Sequence, residues 1–334
     1  MRPSCLALLF AIVTLWTQQS FAATELEERA IISSSAHKAL LSENFSQLEQ
    51  SSHAYRTEKS RTASGLWKLT LFYAGIQSAI DAQTVSQEPE AAFRRLEEKT
   101  TRWMQQYPTS PSAYIAHSMV LIGHGWSYRG DGTASTVKPE SWAPFRKHIA
   151  MARQNLESYK AVAAKDPRWY ETMLTIARAE SWDRKQFDRL LNEALDREPL
   201  FYQTYFLAIE YLLPKWHGGN QEIEAFANDA TRRTSTQEGR GMYARIYWFA
   251  SQTQFQNDIF ADSLAVWPRM KAGFEDVVKR YPDAWNFNNY AKFSCLARDK
   301  TKARELLKRV SHDFILEAWN PPSLHRWCSE WALQ

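Results

Sequence analysis

Asp183-Arg184-Lys185-Gln186-Phe187-Asp188-Arg189-Leu190-Leu191-Asn192-Glu193-Ala194-Leu195-Asp196-Arg197-Glu198-Pro199-Leu200-Phe201-Tyr202 is the stretch that decides the fold. Phe187, Leu190, Leu191 and Ala194 stand at i, i+3, i+4 and i+7, which is one face of an α-helix. Asp183 with Gln186 offers a capping box at its start. Pro199 opens the next segment, with Tyr202 three residues on. Both devices recur. The apolar spacing returns at Ile223/Phe226/Ala227/Ala230, Phe274/Val277/Val278/Tyr281 and Ala303/Leu306/Leu307/Val310, and more loosely at Ala92/Phe93/Leu96/Trp103. The proline–aromatic opening returns at Pro111/Tyr114, Pro167/Tyr170 and Pro282/Trp285. Pro167 and Pro199 are separated by nearly the length of a tetratricopeptide hairpin, about 34 residues. No run alternates long enough to make a strand. The sequence therefore predicts an all-α fold, an irregular tetratricopeptide-like solenoid in which stacked hairpins bury stripes that one hairpin cannot bury alone. Fourteen tryptophans and fourteen tyrosines suit such packing.

Met1-Arg2, an apolar stretch over residues 6–16 and Ser20-Phe21-Ala22 read as a secretory signal peptide over 1–22, cut after Ala22 or Ala23. The stretch is shorter than the roughly 20 apolar residues that cross a bilayer, and no later segment is long enough. A periplasmic or secreted protein is expected. The chain carries 41 Lys and Arg against 37 Asp and Glu. Basic and acidic residues alternate along helices, as in Arg94-Arg95-Leu96-Glu97-Glu98-Lys99, which argues against a nucleic-acid partner. Cys295 and Cys328 remain after processing. An export compartment permits them to pair; the alternative is two small buried apolar residues.

Residues 23–334 read as one helical-repeat domain. Three helices are expected over residues 26–82, with breaks at 42–44 and 59–62, and another over 90–107. Ser110-Pro111 restarts a helix that is expected to end near Ile122. The glycines at 123, 125, 130 and 132 then predict a loop, part of an insertion near 123–139. Helices are expected over 143–164 and 169–180. A second insertion falls near 212–220, where Asn220 caps a helix to about Arg232, and Ser235 with Glu238 offers a further capping box. Residues 323–332 read as a terminal capping helix.

Gly65-Leu66-Trp67-Lys68-Leu69 with Tyr73, Trp126-Ser127-Tyr128-Arg129-Gly130, Tyr211-Leu212-Leu213-Pro214-Lys215-Trp216 with Gly218-Gly219, and Tyr243-Ala244-Arg245-Ile246-Tyr247-Trp248 carry a resemblance. The chain resembles a set of bacterial exported proteins grouped as a domain of unknown function with tetratricopeptide-like helices. The resemblance covers most of the mature chain and implies fold and export, not an activity.

Candidate contact residues concentrate where the repeat breaks. Trp126, Tyr128, Arg129 and Asp131 lie among the glycines, and Tyr211, Lys215 and Trp216 lie in the second insertion. Side by side, the two segments would make an aromatic and basic surface for an acidic partner. Tyr243 and Arg245 are further candidates, with Tyr243 or Trp248 expected in the core because a separation of five puts them on different faces. His117 and His124 would align only if the helix ran on through the glycines, so no metal and no cofactor are expected. No phosphate loop, dinucleotide fingerprint or nucleophile elbow is present. These features predict an exported binding or scaffolding protein of the cell envelope, with a protein or peptide partner or else a small ligand. The alternative is an envelope enzyme acting on cell-wall sugar or peptide with His124, Asp131 or Glu222 as acid or base. That alternative requires a pocket in which a carboxyl group or histidine is desolvated beside an arginine.

Overall fold

A computed structural model describes residues 24–213 and 218–334. The expected leader and its cleavage point lie outside the described residues, as do Lys215 and Trp216. The described chain is helical, and its one β-type pairing is a single bridge between Arg61 and Trp67.

The helices are α1 (Glu25–Leu41), α2 (Phe45–Glu58), α3 (Lys68–Thr84), α4 (Pro89–Gln106), α5 (Pro111–Arg129), α6 (Trp142–Ser158), the single turn α7 (Lys160–Ala163), α8 (Arg168–Ala179) and α9 (Arg184–Arg197). They continue with α10 (Tyr202–Leu212), α11 (Asn220–Glu238), α12 (Gly241–Ala250), the short α13 (Ile259–Asp262), α14 (Trp267–Arg280), α15 (Ala284–Leu296), α16 (Lys300–Val310) and α17 (Ser323–Leu333). Their starts follow sequence chemistry. Asp183 accepts from the Gln186 amide at 2.8 Å, and Ser110 accepts from that of Ala113 at 3.2 Å. Two of the openings share a second device, because the Tyr114 and Tyr205 hydroxyls each donate to a proline carbonyl six residues back, Pro108 and Pro199, at 3.0 Å. Successive helices pack in pairs, such as α4 on α5, α5 on α6 and α11 on α12. Alternate ones also touch, α3 on α5, α5 on α8, α8 on α10 and α10 on α12.

Two expected boundaries are corrected. Residues 123–129 are not a loop, since α5 runs on to Arg129 and stops at Gly130, whose φ is +71°. The glycines at 123 and 125 are there for packing. A Cβ on Gly123 would stand 2.2 Å from Ile80 Cγ2 on α3, and one on Gly125 would stand 3.2 Å from His148 Cβ on α6. Ser235 likewise starts nothing, because α11 continues through it to Glu238 and the break falls at Gly239.

The connection between α2 and α3 turns inward at Thr62, Ser64, Gly65 and Trp67, which are buried, and must satisfy its backbone there. Thr62 and Ser64 are buried, and Glu25 from α1 accepts from the Ser64 amide at 3.0 Å and from both hydroxyls at 2.6–2.8 Å. The Ser64 carbonyl receives Arg245 Nη2 at 3.2 Å and Asn286 Nδ2 at 3.1 Å. Arg61 donates to the carbonyls of Gly65 and Leu200 at 3.1 and 3.2 Å. Just before the loop, Arg56 meets the fully buried Asp166 at 2.9 Å, and Tyr73 donates to the same carboxylate at 2.8 Å. One loop thus ties α1, α12, α15 and the turn that leads into α10 together.

At the other end, a disulfide joins Cys295 on α15 to Cys328 on α17, both fully buried, with Cα atoms 5.8 Å apart. It holds the last helix to the core.

Gly65 has φ +91°, and a Cβ there would stand 2.9 Å from the Tyr281 ring. Gly130 also has positive φ but has nothing within 4 Å of its would-be Cβ. In urea unfolding, Gly130→Ala is expected to cost about 1 kcal/mol from backbone strain alone. Gly65→Ala, which adds a steric clash, is expected to cost roughly 2–3 kcal/mol.

Candidate functional site

The last turns of α5 send the expected residues in different directions. Trp126 and Asp131 line a cavity of about 530 Å³ between α3, α5 and α8. Tyr128 turns away from it and donates to Glu90 on α4. The Arg129 guanidinium lies 4.7 Å from the Trp126 ring and donates to the carbonyls of Gly130 and Gly132 at 2.8 and 3.0 Å, so it closes the helix end. Tyr211 is core, stacked on Phe187 at 3.7 Å with its hydroxyl on the Trp182 carbonyl at 3.0 Å. No described residue of 211–219 lines the cavity that holds Trp126, so the expected joint surface is not formed among the described residues. Tyr243 and Trp248 are both buried. Tyr243 donates to Glu224 at 3.1 Å under the Arg269 guanidinium.

One face of α8 floors the first cavity with Arg168, Thr172 and Thr175. Glu171, on the same helix, is 2 % exposed, pairs with Arg168 and leaves Oε1 without a partner. Desolvation pushes its pKa up to about 7 in spite of the arginine.

Arg245 belongs to a different place. It lines a cavity of about 250 Å³ with Trp248, Trp285 and Asn286, and Trp285 and Gln252 are shared with a neighbouring cavity of about 430 Å³. The two form one groove. The larger volume lies in the range of about 300–1,000 Å³ common for ligand sites. One wall is α15, whose Trp285, Asn289 and Lys292 stand at i, i+4 and i+7. The facing wall begins where α12 passes into a π-turn, Ser251–Phe255, followed by Gln256 at φ +48°. Such wide turns, and non-glycine residues at positive φ, are uncommon and concentrate at functional sites. Gln252, Gln256 and Asn257 enter the groove from this segment, and Glu317 and Asn320 from the segment after α16.

The groove is short of partners for its own polar groups. Arg245 Nε, Trp248 Nε1 and Asn286 Oδ1 are buried and find no hydrogen-bond partner among the described residues. Lys292 is 6 % exposed and makes no hydrogen bond or ion pair among the described residues; its ammonium lies 5.1 Å from the Phe293 ring. Burial lowers its pKa to about 8. A buried cation without a counter-ion is costly, and this one lines a cavity. An anionic group that reached it would meet a ready cation, with amide side chains around it that both donate and accept.

No protein-family model, no curated protein and no solved structure matches the chain. Among the described residues no helix is long and apolar enough to cross a membrane.

The sequence pointed to Arg245 and missed the rest of the groove. The overlooked signal was Asn286, Asn288, Asn289 and Lys292 within a segment that is otherwise apolar and aromatic. Asparagine is a poor residue for a helix interior, and here all four are buried.

With a folded-state pKa below the unfolded one, Lys292 binds its proton more weakly in the native state. Stability is therefore expected to rise from pH 7 to 9.5, as the native lysine releases a proton that the unfolded chain retains. The contribution is on the order of 2 kcal/mol over that window. Lys292→Met should be more stable than the wild type at pH 7 and lose this slope, as read from urea melts across the range.

Proposed function

We propose that the chain is an exported binding protein of the bacterial cell envelope, an irregular tetratricopeptide-like array that holds a carboxylate-bearing peptide in the groove between Arg245 and Lys292. The observation that carries this reading is the buried, unpaired Lys292 in a 430 Å³ cavity lined by amide side chains. Amides pair with an extended peptide backbone in both directions, the Trp285 ring offers apolar area, and the lysine takes the carboxylate. Export is supported by the leader-like first residues and by the disulfide, a bond that persists in oxidising compartments. Ser64 and Leu66 of the 59–67 loop line the Arg245 end of this groove.

The test is a tryptophan-fluorescence titration with short peptides ending in Asp or Glu, run beside their amidated, uncharged counterparts. The acidic peptides are expected to bind, more weakly at high salt. Lys292→Met and peptide amidation should each cost at least about tenfold, since a charge-assisted contact contributes roughly 1.5–3 kcal/mol. Equal binding of charged and uncharged peptides would refute the reading.

A second reading rests on Glu171. An envelope enzyme acting on cell-wall sugar or peptide needs a desolvated acid beside an arginine at a pocket; Glu171 is such an acid, and its partner Arg168 lines the first cavity while Glu171 lies behind that wall. His124, Asp131 and Glu222 do not fit that description. On this reading purified cell wall is cleaved with a pH profile breaking near 7, and Glu171→Gln abolishes the cleavage.

A further inference from the structure

The continuation of α5 through residues 123–129 has a second result. It carries His124 into the seam between α4 and α6, and Gly125, one residue on, lets α6 approach closely enough to bring in His148. The two imidazole centroids lie 4.2 Å apart, and both residues are buried. Glu97 from α4 completes the group, with one ligand atom from each of the three side chains within 4.8 Å of the others. His117, the other histidine on this helix, takes no part and is held by the Thr100 hydroxyl at 2.8 Å.

The outer hydrogen bonds fix which nitrogens face inward. His148 Nδ1 donates to the Pro144 carbonyl at 2.8 Å, which leaves the Nε2 lone pair free. His124 Nε2 meets Glu90 at 3.0 Å, and Glu90 is itself held by the Tyr128 hydroxyl. His124 Nδ1 faces Glu97 Oε1 at 2.5 Å, a contact that a proton on the imidazole bridges in the ion-free protein and that a metal ion can take over by displacing that proton. A carbonyl or carboxylate on the outer nitrogen of each histidine is the support found around metal-bound imidazoles.

We propose that Glu97, His124 and His148 form a site for a divalent transition-metal ion, with Zn²⁺ the best match. Two imidazoles and one carboxylate are a zinc ligand set. With bonds of about 2.0–2.1 Å, the ligand atoms would stand about 3.3 Å apart around a tetrahedral ion. The 2.5 Å contact opens and the longer separations close by movements a side chain can make. The three ligands come from three different helices, so the ion clamps α4, α5 and α6 together, and a water supplies the fourth position.

The test uses the full chain without a histidine tag, titrated with Zn²⁺ against a chromophoric chelator. One equivalent is expected to bind, with a rise in melting temperature. Glu97→Gln and His148→Ala should each weaken binding at least 100-fold, Glu90→Gln about 10- to 100-fold, and the exposed His53→Ala not at all. Co²⁺ added to the wild type gives a readout that needs no variant, since four- or five-coordinate nitrogen and oxygen ligation produces visible absorption stronger than that of the aqueous ion. Absence of stoichiometric binding, an aqueous-type Co²⁺ spectrum, or unchanged affinity in folded His148→Ala would overturn the site.

Discussion

The rest of this structure depends on a loop being buried. Loops normally run over the surface, because water is the cheapest partner for their backbone groups. The connection between α2 and α3 instead turns inward around Ser64, with Arg245, Asn286 and Glu25 arranged around that residue to replace the water. The Asp166 carboxylate beside it is fully buried, and removing its half-buried partner Arg56 would leave that charge uncompensated, a loss of about 3 kcal/mol. These contacts join residues far apart in sequence, so they hold together helices that the hairpin pattern alone would leave as separate neighbours. The same loop borders one of the two main sites: Ser64 and Leu66 line the cavity at α12 and α15, whereas the cavity at α3, α5 and α8 is lined by other segments.

One cavity is lined by a charged group in an unfavourable state, and beside the other such a group lies buried behind its wall. Glu171 is desolvated beside Arg168, and Lys292 is desolvated with no ion-pair partner at all among the described residues. Helix packing does not require this. Apolar residues of similar volume would be as stable or more so. The arrangement makes sense where a ligand supplies the missing partner, and the groove at Lys292 is the stronger case because its walls are themselves rich in unpaired polar groups and irregular backbone.

The helices were largely legible in the sequence because they rest on local chemistry. The stripe at Phe187, Leu190, Leu191 and Ala194 is buried, and Asp183 and Ser110 cap where their spacing said they would. What failed was the meaning of glycine. At 123 and 125 it marks close helix approach rather than a turn, and only the neighbouring α3 and α6, distant in sequence, reveal the difference. Reading a loop there separated His124 from the helix that delivers it to His148. The candidate contacts suffered in the same way. Tyr128, Arg129, Tyr211 and Tyr243 are engaged by partners many residues away or by their own helix end, whereas Arg245 does line a cavity. Lys292 was invisible because one lysine on a helix normally faces water, and its burial is a property of the assembled walls.

The most direct test of the central claim is to follow the Lys292 ε-carbon by NMR through a pH titration, alone and with an acidic peptide. The account predicts a midpoint near 8 in the free protein and an upward shift when the peptide's carboxylate arrives. A midpoint at the ordinary 10.5 in both samples would mean that Lys292 is solvated, and that the groove is not built around an unpaired charge.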